Sequence, residues 1–241
     1  MSADPGARRE HGRVRAVAVV VPARDEEELL PRCLDALEAA RVGLLELDPQ
    51  LRCRVFVVLD SCHDATAAVV AARPGVTAVP VSFGQVGAAR AAGVRAVARW
   101  AREDPAEVWV ANTDADTVVP PEWLAAQVRL ARTGVELVVG TVQPDPGDLT
   151  PVERELWWAR HTMPDGHEHV HGANLGFTLE AYRAAGGFPH LPVHEDVELV
   201  RRMREAGVVG AAPGALRVTT SGRRSNRAPG GFAAYLDDLG A

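Results

Sequence analysis

Two aspartates one residue apart, Asp114 and Asp116, stand in "VANTDADTVVPPEWL" (110–124), behind an apolar run and ahead of two prolines. In an extended segment, residues two apart point the same way, so both carboxylates would share a side with Ala115 turned away. Carboxylates a few ångströms apart repel, and an unpaired pair tends to hold a proton. A hard divalent cation relieves this. Mg²⁺ or Mn²⁺ takes oxygen ligands, typically one or two carboxylates with the rest from water and phosphate. The pair reads either as a solvated acidic turn or as an anchor for Mn²⁺ or Mg²⁺ bound to a diphosphate.

Other chemistry-bearing residues are spread along the chain. "LDSCHDAT" places Asp60 at the end of an apolar run and Asp64 at a helix start. An acidic residue at such a strand end can hold a base or ribose. "GQVGAARAAG" puts Arg90 in the first turns of a helix, where a cation can meet a diphosphate, or where it is only a surface arginine. Glu195 and Asp196 open the helix-like "EDVELVRRMREAG", in the first turn, where a helix dipole favours acids. "HEHVH" sets His167, His169 and His171 at alternate positions, facing one way if the segment is a strand; zinc is conceivable there, an acceptor-lining loop the blander reading. Arg223, Arg224 and Arg227 lie in the glycine-flanked "SGRRSNRAPGG", either a basic loop that closes over a diphosphate or a solvated tail. Of Trp157 and Trp158, at least one belongs to the core.

The elements that must position these residues follow from patterning. The runs at 16–23, 53–60, 76–81, 107–114 and 135–142 are continuously apolar and rich in valine. Such runs suit strands buried on both faces of a mainly parallel sheet. Helix-like stretches separate them. "DEEELLPRCLDALEAARV" carries acids where a helix dipole would favour a first turn, and "PPEWLAAQVRLARTG" has proline first and glycine last. The resulting β-α alternation predicts an α/β fold with helices on both faces. Ligands in such sheets bind beyond the carboxyl ends of the strands, where "PARDEE", "LDSCHDAT" and "NTDADT" all fall. Beyond residue 145, "ERELWWARHTM" reads as a helix, 165–188 as loop, strand, helix and turn, and "FAAYLDDLGA" as a short closing helix.

Composition limits the function classes. The 241 residues suit one compact domain, with 47% apolar and 24% charged residues. A net charge of −6 gives no basis for broad nucleic-acid binding. Cys33, Cys53 and Cys62 form no CxxC pair, as expected of free thiols in a reducing cytoplasm. The polar opening segment lacks a signal-peptide core, and no apolar run is long enough for a transmembrane segment. A cytoplasmic protein with a flexible 1–14 is expected.

Taken in order, six segments resemble the family 2 glycosyltransferases. They are "VVVPARDEEELLPRCLDAL", "VVLDSCHDAT", "GQVGAARAAGVRAV", "NTDADTVVPPEWL", "GANLGFTLEAYRAAGGFP" and "HEDVELVRRMREAG". The resemblance spans about residues 15–210 and implies a nucleotide-sugar-binding half at 15–116 and an acceptor-binding half at 117–241 that ends in the basic loop. It implies a GT-A fold, a Rossmann-like, mainly parallel sheet with a smaller acceptor-side subregion. It also implies inverting, metal-dependent transfer of a sugar from a UDP- or GDP-type donor to an acceptor hydroxyl, on a small molecule or a lipid-linked acceptor. By matching position, Pro22, Arg24 and Glu26 border the base and ribose. Asp60 hydrogen-bonds the base, and Arg90 and Asp114 lie near ribose and diphosphate. Asp116 coordinates the metal, and Asp196, beside Glu195, is the general base. Three departures stand out: Leu59 and Ser61 replace a usual aspartate and glycine, Asp25 replaces a common asparagine, and no histidine follows His194 to serve as a late metal ligand. A sugar-phosphate nucleotidyltransferase is disfavoured because "PARDEE" is acidic and lacks the glycine-rich basic loop of that class. A phosphatase would place its DxD after the first strand, and a degenerate nucleotide-binding protein would not need both Asp116 and Asp196.

Overall fold

The computed structural model describes residues 13–161 and 163–223. The expected closing helix, Arg224 and Arg227 lie outside the described residues. The chain begins with β1 (Ala16–Ala23), α1 (Leu30–Leu47), β2 (Arg52–Asp60), α2 (Thr66–Ala71), β3 (Val76–Val81), α3 (Val86–Trp100) and β4 (Val108–Asn112). These strands pair in parallel in the order β3-β2-β1-β4. Alternation along β1 supplies both layers of core. Val17, Val19 and Val21 pack with Leu30, Cys33, Leu34 and Leu37 of α1. Ala16, Ala18 and Val20 pack with Ala89, Ala92 and Val97 of α3. Small alanines on the second side let α3 lie close. Gly93 is needed there, because a Cβ on it would run into the Val20 side chain.

Next come β5 (Thr117–Val118), α4 (Trp123–Arg132), β6 (Leu137–Val139), β7 (Thr141–Pro144), α5 (Pro151–Arg160), β8 (Leu175–Thr178), α6 (Leu179–Ala184), α7 (Glu195–Glu205), β9 (Gly210–Ala211) and β10 (Arg217–Thr220). The main sheet continues as β4-β8-β6-β9, with β8 antiparallel to both of its neighbours. A second sheet, β5-β10-β7, lies beside the strand ends. The mixed α/β, mainly parallel architecture is the one anticipated.

Two element predictions need correction. The acids of "DEEELL" do not form the first turn of α1, which begins only at Leu30 and has no acid there. Asp25 and Glu27 instead bond the loop after β2 (below). The run 135–142 is not one strand but two, divided at Gly140 between different sheets. The cause is Asn174, whose side chain occupies the space a Cβ at Gly140 would need. Its amide donates to the carbonyls of Thr141 and Leu216, each at 2.8 Å, and its Oδ1 accepts the Trp123 indole N–H. One buried amide thus ties the second sheet to α4. α5 carries a Thr150–Glu153 capping box. Trp157 is buried and stacks on His161, whereas Trp158 is 45% exposed beneath the Arg217 guanidinium.

Candidate functional site

The carboxyl ends of β1, β2 and β4 deliver the acidic segments to one edge. β4 stops pairing with β1 at Val20, so Pro22 lies past that ladder, where its missing N–H costs nothing. Arg24 is exposed beside Gly84. Asp25 adopts φ 51° and accepts the His63 N–H at 2.7 Å. Glu27 accepts Ala65 N–H at 2.7 Å and donates its own N–H to Asp64 at 3.0 Å. The Glu26 N–H donates to Thr66 Oγ1. These acids act first as the internal wiring between two loops.

Asp60 is buried, and its oxygens are heavily used. Oδ1 accepts the N–H groups of Phe83 and Gly84 at 2.6 and 2.9 Å, and Oδ2 that of Gln85 at 3.1 Å. The side chain assigned to base recognition therefore shapes the loop entering α3. That loop holds exposed Phe83 and, in Gly84, a residue with φ +66°.

Arg90 is not a surface arginine. It is buried, and its guanidinium bridges Glu195, also buried, and Asp114 Oδ1 at 2.5 Å. Room for it is made by Gly172, where a Cβ would lie 2.5 Å from Cζ. Gly87 likewise leaves space for the Glu195 side chain. One guanidinium thus joins α3, the turn after β4 and the start of α7. This places Arg90 within the protein's own ion network.

The Asp114–Asp116 segment is a turn, closed by Thr117 N–H on the Asp114 carbonyl at 3.1 Å, and not the extended stretch anticipated. Ala115 does point into the core. Each carboxylate meets its own cation. Asp114 meets Arg90, while Asp116 Oδ2 lies 3.2 Å from Arg223, which also grips both oxygens of Glu26. Thr220 Oγ1 donates to Asp116 Oδ1 at 3.2 Å. Burial foremost, then the charges of Asp114 and Glu26, push the Asp116 carboxyl up to about 6; Arg223 and Thr220 oppose this. Among the described residues no group of three His, Cys, Asp or Glu side chains can hold a metal alone. Asp116, with Asp114, fits a hard cation as a two-carboxylate anchor whose other ligands are phosphate and water.

Glu195 and Asp196 separate in role. Glu195 is sealed against Arg90. Asp196 is only partly buried, with Oδ2 accepting Gly172 N–H at 2.6 Å and Oδ1 accepting Val197 N–H at 2.8 Å. His194, just before, holds a left-handed φ of 62°. Such strain in a non-glycine residue is sustained only by its surroundings. The histidine row 167–171 is not a strand. His167 is buried and His169 exposed, with ring centroids 6.1 Å apart. Burial holds His171 down to about 4, despite the charges of Asp196 and Asp114, so it stands neutral near them. Gly172 and Thr220 were not singled out in the sequence. "HGAN" held a signal for the glycine; Thr220 had none.

The family model described as "Glycosyl transferase family 2" matches residues 18–183. No curated protein matches the chain. Among solved structures, the mannosyltransferase PcManGT from Pyrobaculum calidifontis, in complex with GDP-Man and Mn²⁺, superposes with TM-score 0.61 at 23% identity, covering 89% of this chain and 59% of that one. S. aureus TarS 1–349 gives 0.59 at 14%, covering 93% and 69%. Glucosyl-3-phosphoglycerate synthase from Mycobacterium tuberculosis, in complex with Mn²⁺ and UDP-Glc, gives 0.57 at 19%, covering 94% and 74%. At these identities the likeness is one of fold.

Proposed function

Since the chain belongs to glycosyl transferase family 2 and is a glycosyltransferase, we propose that it moves a sugar from a UDP- or GDP-type donor to an acceptor hydroxyl with inversion. The reading rests on the Arg90 bridge. By binding Asp114 and Glu195 together, it ties the turn that carries Asp116 to the helix start that carries Asp196, which supports their use in one site. Asp116 and Asp114 would hold the cation. When bound, Mn²⁺ or Mg²⁺ supplies positive charge toward the leaving diphosphate. The complexes of PcManGT with GDP-Man and Mn²⁺ and of the mycobacterial synthase with UDP-Glc and Mn²⁺ support this class of donor and cation.

Pro22, Arg24 and Glu26 border the donor base and ribose, and Asp60 serves them by holding the loop 83–85. Asp196 takes the acceptor proton. Two backbone N–H groups fix its carboxylate in orientation while leaving lone pairs for the incoming hydroxyl. A base opposite the leaving group gives inversion. Residues 15–116 supply most donor contacts and 117–241 most acceptor contacts. Among the described residues no helix is long and apolar enough to cross a membrane.

The test is transfer and hydrolysis over a panel of UDP- and GDP-sugars, with Mn²⁺ and with chelator, and the product anomer read by NMR. Asp196→Ala should lower kcat by roughly 10²–10⁴ with donor binding intact. Near-normal transfer by that variant would remove Asp196 as the base, and a retained anomeric configuration would exclude inversion.

A further inference from the structure

Asp116 already has a cationic partner from its own chain. Its Oδ1 takes the Thr220 hydroxyl, which in turn lies 3.0 Å from Thr117 Oγ1. Its Oδ2 faces Arg223 Nη2. The same guanidinium holds Glu26, whose side chain is only 8% exposed. Arg223 thus stands between two largely buried carboxylates, with Asp114 committed to Arg90.

We propose that Arg223 and a divalent cation compete for Asp116, so that loading the cation requires the segment 221–223 to lift. The inference rests on the reading of Asp116 as a metal anchor. A cation coordinated by Asp116 Oδ2 would lie about 2.1 Å from that oxygen, against a guanidinium that deprotonation cannot neutralise. Both cannot occupy the place. The guanidinium is the group that moves. Among the described residues, Gly222 N–H and Ser221 Oγ bond one oxygen of Asp148, at 2.7 and 3.3 Å, and Arg223 N–H bonds Ser221 Oγ. Few backbone ties therefore hold the segment, and the main hold on the guanidinium is the Glu26 pair it must release. Ser221 N–H, on the Asp116 carbonyl at 3.1 Å, marks where β10 ends and the liftable segment begins. Once released, a planar guanidinium beside the cation is suited to phosphate oxygens. Competition is reciprocal: whatever Arg223 takes from cation affinity, the cation takes from Arg223 docking.

The experiment titrates Mn²⁺ into the full chain without donor, following free Mn²⁺ by EPR, for wild type, Arg223→Gln, Arg223→Lys and Asp116→Asn. Amide hydrogen exchange over 219–223 is measured in parallel. Arg223→Gln should bind Mn²⁺ about 10-fold more tightly, a usual size for such coupling. Arg223→Lys should fall between, and Mn²⁺ should speed exchange at Gly222 and Arg223 in the wild type. Unchanged or weaker binding by Arg223→Gln overturns the competition. So does tighter binding without faster exchange in the wild type, which would mark long-range charge alone. Wild-type affinity in Asp116→Asn would instead sink the metal-anchor reading itself, whatever the Arg223 variants do.

Discussion

Replacing Arg90 with methionine removes the guanidinium that both Glu195 and Asp114 depend on. The two losses are unequal. Asp114 is about one-third exposed and can turn to water, whereas the Glu195 side chain is 4% exposed and cannot. Leaving a buried charge without its partner costs about 3–5 kcal/mol. In a chain of this size that lowers Tm by roughly 10 °C. Adding Glu195→Met removes the orphaned charge, and the double variant should regain most of the loss, because apolar replacement of a buried pair is often neutral. Recovery in the double variant separates this account from simple loss of packing. Urea titrations of wild type, both single variants and the double variant measure all of this. A single-variant cost under about 1 kcal/mol, or no recovery in the double variant, would refute the reasoning. The double variant should still transfer poorly, since Asp114 has lost its anchor.

Three further outcomes are expected. Asp60→Ala leaves three loop N–H groups without their acceptor, so stability should fall by about 1–3 kcal/mol and donor KM should rise; steady-state kinetics with an unchanged KM would show that loop 83–85 does not serve the donor. Asp116 keeps its proton up to about 6, against 3.8 ordinarily, so the native state is the better proton binder between those values. Its contribution, present at low pH, is lost as pH rises through that window by about 3 kcal/mol at most, and Asp116→Asn should flatten this part of a chelator-treated stability profile. Gly93→Ala should cost about 1–3 kcal/mol by driving a methyl into Val20, with m-value unchanged in denaturant melts.

The valine runs announced four strands; "AVAVVVPA" and the middle of "RVFVVLD" are buried on both faces as the pattern implies, whereas "VTAVPV" became the half-exposed edge strand β3. The fifth run misled. "VELVVGTV" is as apolar as the others, and nothing local says that Asn174, more than thirty residues on, claims the space above Gly140. The acids of "ARDEE" misled in another way. A helix dipole and a neighbouring loop both welcome carboxylates, and only the loop's position beside β1 decides between them.

The types and order of the candidate site residues were legible from the chain itself: Asp60, Arg90, Asp114, Asp116, Glu195 and Asp196, each near a strand end or helix start. Their division of labour was not. Burial made Arg90 and Glu195 a structural pair and left Asp196 reachable, and three backbone N–H groups made Asp60 a loop anchor. The Asp116 carboxyl was pushed up chiefly by burial, against the pull of Arg223, more than a hundred residues away. Local pattern reports what a side chain can do. Which of those things it does depends on the partners that folding brings within hydrogen-bonding distance, and on whether water can still reach it.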